Sequence, residues 1–379
     1  MNILVMTHSQ VKGFITTPFI DDLMRAHVKR GCRVRAIVAV PQGKANRFDK
    51  RIGRTIVREE YEGVEYVFVR YISLSRYGGK KFNLHSFTTV LGKHLPEILE
   101  GFEPDVIHAH TVLFDGRVGL WLKEKTRAPL VVTTHGGDIV KPLALGWGDI
   151  LKETCDKADA VAADSSALGR KCALFHAEKE AVPVTLGYAS DIKVPEVERI
   201  PKRMIQVSGF VPSKHIAVTI RAFKILHDED PEFQFFLIGD GPLREEMEAL
   251  AAELGVKDSV HFLGRVPNAR VLEEMARSTY YVMVSSPEGL GVVYIEAMSQ
   301  GCLAIGTEGE GIADVIEDGV NGYLLPVDRP DLIADRIRLC EQDPALRERL
   351  SEAGRKKASG LTWERTAEEY EKLFRKTMG

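Results

Sequence analysis

The chain reads as an α/β protein made of two doubly wound parallel-sheet (Rossmann-like) domains, and three observations predict it. Short apolar runs alternate with helical segments along the chain, the pattern of parallel strands joined by crossover helices. That alternation runs twice, broken by a polar stretch from Gly187 to Pro201 that carries Pro195 and Pro201. At 379 residues, 44% hydrophobic and 28% charged, the chain can fill two cores of ordinary size.

In order, Ile3–Met6 is the first buried strand, Phe19–Lys29 a helix and Arg33–Val40 the next strand. Asp105–His108, Leu130–Thr133 and Ala158–Ala162 repeat the strand pattern. The second alternation opens at Met204–Val207 and continues through Phe235–Ile238, Val260–Leu263, Tyr280–Val284 and Leu303–Ile305. A helix over Leu243–Leu254 follows Ile238-Gly-Asp-Gly-Pro242, where proline at the first helical position is a structural feature. The predicted division is 1–190, a linker over 191–202, and 203–362, followed by an amphipathic segment over 363–379. In sheets of this kind, ligands sit at the carboxyl ends of strands.

The segment from Ser285 to Gly301, SSPEGLGVVYIEAMSQG, carries the most chemistry. A loop with Gly289 and Gly291 follows a buried strand and opens a helix over Val292–Gln300, with Gly301 at its C-terminal cap. The glycines allow close backbone approach, and Gly289, Leu290, Gly291 and Val292 present a helix start whose unpaired N–H groups suit an anion. Glu288 and Glu296, eight residues apart, would repel a phosphate but can accept hydrogen bonds from vicinal hydroxyls. A ligand with both a diphosphate and sugar hydroxyls is a nucleotide-sugar. Two acids taken alone are more often a helix cap and a solvated helix residue; the strand–loop–helix frame reverses those odds.

This segment resembles the signature of glycosyltransferase family 4, a glutamate, seven intervening residues and then a second glutamate. The resemblance implies a GT-B fold, with two domains facing across a cleft and the segment 363–379 packing back on the first. It implies that Glu288 holds hydroxyls of the donor sugar and Glu296 the ribose. Val207-Ser-Gly-Phe-Val-Pro-Ser-Lys214 resembles the family loop whose lysine meets the donor diphosphate, which assigns Lys214 to the leaving group. Many relatives carry arginine where this chain has Gly209, so a second phosphate-binding charge is missing here. Thr134-His-Gly-Gly-Asp138 resembles the family's His–Gly segment, so His135 is expected to donate to a sugar hydroxyl or stabilise the transition state. Asp138 is expected to cap the following turn. The stretch around Val266 is where family members meet the base through backbone atoms. The activity implied is retaining transfer of a hexosyl-type sugar to a glycan, lipid-linked or small-molecule acceptor, with no metal and no further cofactor. No residue stands out as a covalent nucleophile, which fits a front-face route. Rival readings are a nucleotide-sugar epimerase and a nucleotide-sugar binder without transfer.

Gly13, in the loop after the first strand, is the candidate for close approach to phosphate or acceptor; the loop has no GxGxxG pattern. Asp228-Glu-Asp230 has the DxD form but reads as a solvated turn. Net charge is −3, yet the first sixty residues hold twelve Lys/Arg against five Asp/Glu. Lys29, Arg30, Arg33, Arg35, Lys44, Arg47, Lys50, Arg51, Arg54 and Arg58 form a candidate patch for anionic membrane lipid, set against a solvated face without a partner. Nucleic acid is not an expected partner. The five cysteines show no paired spacing and read as reduced packing residues. MNILVMTHS reads as a strand rather than a signal peptide. The expected location is cytoplasmic, peripheral at the inner face of the cell membrane.

Overall fold

The computed structural model describes residues 1–8, 18–42, 55–74, 80–188 and 195–379. Gly13, and Lys44, Arg47, Lys50, Arg51 and Arg54 of the basic cluster, lie outside the described residues. The chain divides into two compact units, one of Met1–Gly187 with Trp363–Gly379, the other of Tyr188–Thr362.

In the first unit β1 (Asn2–Thr7), α1 (Pro18–Lys29), β2 (Arg33–Gln42), β3 (Ile56–Tyr61), β4 (Val64–Ile72), α2 (Lys80–Ile98), β5 (Val106–His110) and α3 (Phe114–Thr126) come first. Then follow β6 (Leu130–Thr134), α4 (Gly137–Ala144), α5 (Gly148–Lys157), β7 (Ala160–Ala163), α6 (Ser166–Cys172) and β8 (Ala181–Pro183). The sheet order is β3-β4-β2-β1-β5-β6-β7-β8. Every described pairing is parallel except β3 with β4, an antiparallel hairpin at the edge that the strand–helix reading did not include. Strands β1, β5 and β6 are buried along nearly their whole length, as expected for a sheet covered by helices on both faces.

The second unit runs β9 (Ile200–Val207), α7 (Ile216–Glu229), β10 (Gln234–Ile238), α8 (Arg244–Glu253), β11 (Val260–Gly264), α9 (Asn268–Arg277) and β12 (Ser278–Val282). It continues through α10 (Val292–Ser299), β13 (Leu303–Thr307), β14 (Tyr323–Leu325), α11 (Pro330–Gln342) and α12 (Pro344–Ser359). Its order is β11-β10-β9-β12-β13-β14, with parallel pairing throughout. Strand β9 opens at Ile200, so the last residues assigned to a linker over 191–202 already belong to this sheet; residues 189–194 lie outside the described set. Helix α8 starts at Arg244 with Pro242 in the turn before it, a correction to the expected first-turn proline. Asp228, Glu229 and Asp230 pair with Lys224, Arg338 and Lys202.

The last helix, α13 (Trp363–Met378), belongs to the first unit. Tyr370 and Phe374 on it are fully buried. The Thr133 hydroxyl donates to the Tyr370 oxygen at 3.1 Å. Arg30 donates to both Glu371 oxygens at 2.9 and 3.2 Å, with His27 Nδ1 at 3.3 Å. Burial pushes the Glu371 carboxyl up, but His27 and Arg30 outweigh it and hold the group at about 2. Arg33 and Arg35 pair with Glu65, and Lys29 with Glu364. Among the described residues of the basic cluster, Lys29, Arg30, Arg33 and Arg35 thus pair with acids of their own unit, and Arg58 donates to the Glu97 carbonyl oxygen.

Candidate active site

Each sheet has one point where the chain leaves in opposite directions from neighbouring strands. Such a switch point opens a crevice at the strands' carboxyl ends. In the second unit it falls between β9 and β12, since β9 pairs with β10 on one side and β12 on the other. The loop after β9 brings Lys214 there, and the loop after β12 brings Glu288.

These two residues form an ion pair, with side chains 21% and 16% exposed. The Ser285 hydroxyl donates to Glu288 Oε2 at 3.1 Å. The backbone N–H of Ser286 donates to the Ser213 carbonyl at 2.9 Å, joining the two loops. A third acid fixes the Glu288 turn from the other side. Glu310, between Gly309 and Gly311 beyond β13, accepts from the Ser286 hydroxyl at 2.7 Å and from the Glu288 N–H at 3.0 Å. Gly311 lies so close to this loop that an added Cβ would stand 1.7 Å from the Gly289 carbonyl oxygen. Gly291 takes φ 78° ahead of α10, and no side chain caps the helix there. A Cβ at Gly291 would also strike the Tyr294 ring at 2.7 Å. Leu290 is buried beneath the loop, while Gly291 and Val292 stay partly accessible.

Glu296 sits one turn into α10. Burial raises its carboxyl above the usual range, and among the described residues no hydrogen bond or ion pair engages it. A desolvated carboxylate without a partner is costly, so this group is built to receive donors from elsewhere. Tyr281, whose hydroxyl donates to the Val207 carbonyl at 3.3 Å, is pushed up by burial and then by Tyr294, Glu296 and Glu288. Both carboxylates therefore act on the same buried phenol. Val266 lies past β11, at the edge of the sheet and two strands from β9. At Gly209 an added Cβ would meet nothing within 4 Å.

In the first unit His135 follows β6. Its Nδ1 lies 2.8 and 3.0 Å from the two oxygens of Asp164, and its Nε2 lies 3.2 Å from His110 Nδ1. The Phe19 ring meets it edge-on at 4.9 Å. Burial disfavours a charge on His135, but Asp164, with Asp138 and Asp115 behind it, wins and raises its pKa. His110 is pushed well down by burial and then by the neighbouring His108, His135 and His27. Asp164 thus favours the charged imidazole of His135, while His110, 3.2 Å away, is held toward its neutral form. Asp164 and His110 both lie within hydrogen-bond distance of the His135 ring nitrogens, so a sugar hydroxyl would compete with them for this residue. His108 lies deeper, 2.8 Å from Thr133 Oγ1. Asp138 does more than cap its turn. Its carboxylate accepts from the His135 N–H, the Thr134 hydroxyl and the Val112 N–H at 3.0, 2.9 and 2.8 Å, joining the ends of β5 and β6.

Glu310 and Asp164 were not singled out as site residues from sequence, and His110 reads there as structural or acceptor-side without a firm role. The signal was present for two of them, since Glu310 and Asp164 are acids placed just beyond fully apolar strands, Leu303–Thr307 and Ala160–Ala163.

Comparison with known proteins bears on the whole chain. Residues 190–357 match the family described as glycosyl transferases group 1, and residues 18–184 match glycosyltransferase family 4. A lipopolysaccharide core biosynthesis glycosyltransferase, LpsD of Rhizobium meliloti, is 30% identical over 341 residues, covering 89% of this chain and 87% of that protein. Among solved structures, a sucrose-phosphate synthase from Thermosynechococcus elongatus superposes with TM-score 0.78 at 19% identity, covering 99% of this chain and 98% of that one. Anabaena HepE, crystallised with UDP and glucose, gives 0.74 at 18% identity over 99% and 100%. The two parallel-sheet units are thus those of the GT-B architecture. With the family matched in both units and LpsD alike over most of both lengths, this chain belongs to glycosyltransferase family 4 and is an enzyme that transfers a sugar.

Proposed function

We propose that the enzyme is a retaining hexosyltransferase that moves a sugar from a nucleotide-diphosphate sugar to a glycan, lipid-linked or small-molecule acceptor. One observation carries the reading: Lys214, Glu288 and the unpartnered Glu296 come together at the switch point of the second unit. The ammonium of Lys214 suits the diphosphate, and a phosphate oxygen would compete with Glu288 for it. Glu288, released in part, then accepts from sugar hydroxyls, while Glu296 accepts from the ribose. Gly289, Leu290, Gly291 and Val292 offer the α10 start to the phosphates. A nucleotide-sugar donor accords with the UDP and glucose held by the Anabaena neighbour, and Val266 would lie toward the base as in family members.

Retention follows the family pattern. In a front-face route the acceptor hydroxyl bonds to the anomeric carbon as the sugar–phosphate bond breaks, and its proton passes to the departing phosphate oxygen. Lys214 neutralises the charge that builds on that oxygen, and His135, whose pKa Asp164 raises, is the candidate catalytic group of the first unit. The chemistry asks for no metal. Among the described residues no helix is long and apolar enough to cross a membrane, and we place the enzyme on the cytosolic side.

The test is slow donor hydrolysis across a panel of nucleotide-sugars, with melting temperature read in the matching nucleoside diphosphates. Release of one sugar, with stabilisation by its nucleotide, is expected. A chain that no nucleotide stabilises would refute the Glu288–Glu296 assignment, and sugar interconversion without release would favour an epimerase.

A further inference from the structure

His215 joins the short turn Pro212–Lys214 to helix α7 at φ 41° and ψ 39°. This is the left-handed region, which strains any residue with a Cβ and which glycine enters freely. The turn itself asks nothing of the imidazole. No side chain caps α7, and the His215 N–H reaches the Pro212 carbonyl from the backbone. Where glycine would serve the turn, a strained residue points to a use for its side chain.

That side chain crosses to the other loop of the crevice. Its Nε2 lies 3.3 Å from the Ser286 carbonyl oxygen; a carbonyl only accepts, so Nε2 carries the proton. The Ser286 N–H in turn donates to the Ser213 carbonyl at 2.9 Å. Ser286 is thus gripped at both of its backbone groups by the residues on either side of Lys214, and it stands two residues before Glu288. One such bond would act as a hinge, whereas two fix both the separation and the tilt of the loops. Gln206, buried in β9, donates through Nε2 to the Lys214 carbonyl at 3.2 Å, so the lysine's backbone is held from the strand as well. The Lys214–Glu288 ion pair keeps its spacing only while these backbones keep theirs.

We propose that His215 is a positioning residue for sugar transfer: its clasp on Ser286 keeps Glu288 in register with Lys214, so that one donor meets both. It acts through those two residues and not on the donor. This rests on the reading of Lys214 and Glu288 as the diphosphate and sugar ends of one site. A free nucleoside diphosphate engages only the Lys214 end, whereas a nucleotide-sugar engages both, and the experiment reads that difference.

The probes are UDP-glucose and the other nucleotide-sugars of the panel, each paired with its free nucleoside diphosphate. They are titrated calorimetrically against the full parent chain, His215→Gly and His215→Gln. Glycine relieves the backbone and removes the clasp, so the melting temperature should equal or exceed the parent's. Affinity for the preferred nucleotide-sugar should fall about tenfold, while that for its nucleoside diphosphate changes less than about twofold. Turnover in donor hydrolysis should fall at least as far as the nucleotide-sugar affinity. Glutamine keeps the strain but restores a side-chain N–H donor of similar reach, and should recover much of the loss. Unchanged nucleotide-sugar affinity in His215→Gly overturns the proposal and leaves His215 a turn residue. An equal loss for the free diphosphate, a glutamine variant no better than glycine, or a loss that comes with a lowered melting temperature overturns it too. Failure of the transferase reading looks different: the parent itself binds no nucleotide.

Discussion

The two switch points make a controlled comparison, because topology places both and chemistry separates them. In the second unit the crevice holds an ion pair of Lys214 and Glu288. In the first it holds imidazoles on buried carboxylates, His8 on Asp115 and, one strand further along, His135 on Asp164. Histidine is the side chain whose ordinary pKa lies in the physiological range. The lesson is that the sheet decides where a ligand can sit and residue type decides whether the place answers to pH. Whatever depends on His135 should titrate, since Asp164 raises its pKa.

The strongest way to break the comparison is Lys214→Ala. Loss of the cation beside the leaving group should lower turnover by ~two to three decades, whereas a structural pairing with Glu288 would show as a lowered melting temperature instead. Steady-state donor hydrolysis and calorimetry together decide.

Asp164→Asn tests the titrating side. His135 has a raised pKa because Asp164, Asp138 and Asp115 outweigh burial, so its charge is lost only as pH rises through that raised value. Removing the nearest carboxylate lowers the value, and the alkaline limb of the rate profile should move to lower pH. Turnover at neutral pH should fall roughly tenfold, below the range a positioned acid group supplies. An unmoved limb would remove His135 from the mechanism.

Glu296→Gln sharpens the donor side. An amide cannot accept from both ribose hydroxyls as a carboxylate does, so nucleoside diphosphate affinity should drop about tenfold by titration calorimetry. Because the Glu296 carboxyl is raised by burial, the folded chain holds that proton more tightly than the unfolded one. Stability therefore declines as pH rises from the ordinary glutamate value to the raised one. The glutamine variant escapes that decline and should melt no lower than the parent above it.

The smallest effect expected is a gain. An added Cβ at Gly209 meets nothing within 4 Å, and an arginine there would supply the phosphate-binding charge that many relatives have. Gly209→Arg should tighten nucleoside diphosphate binding about threefold, the scale of a partly exposed ion pair.

What could be read from the sequence follows the distance over which each feature is encoded. Glu288, the glycines and Glu296 lie in one stretch whose periodicity changes from strand to helix, so that loop was legible. Lys214 was legible through a strand end and a family pattern. Asp164, Asp115 and Glu310 were not, because each matters through a partner 22 to 107 positions away, and periodicity carries no such information. His135 shows the converse case. Its place was readable, but the engagement of both ring nitrogens depends on Asp164 and His110. The β3–β4 hairpin was a local miss, since Glu62-Gly63 with φ 50° and 78° is a two-residue turn between alternating strands.

The return of α13 to the first unit has a consequence for how the protein is made. Residues 363–379 complete the body that residues 1–187 begin, and the whole second unit is spliced between them. A ribosome therefore releases everything the second unit requires before it releases the Tyr370 and Phe374 side chains that fill the first. The usual order of synthesis, in which the amino-terminal domain matures first, is reversed: the second unit can fold while the first still waits for α13.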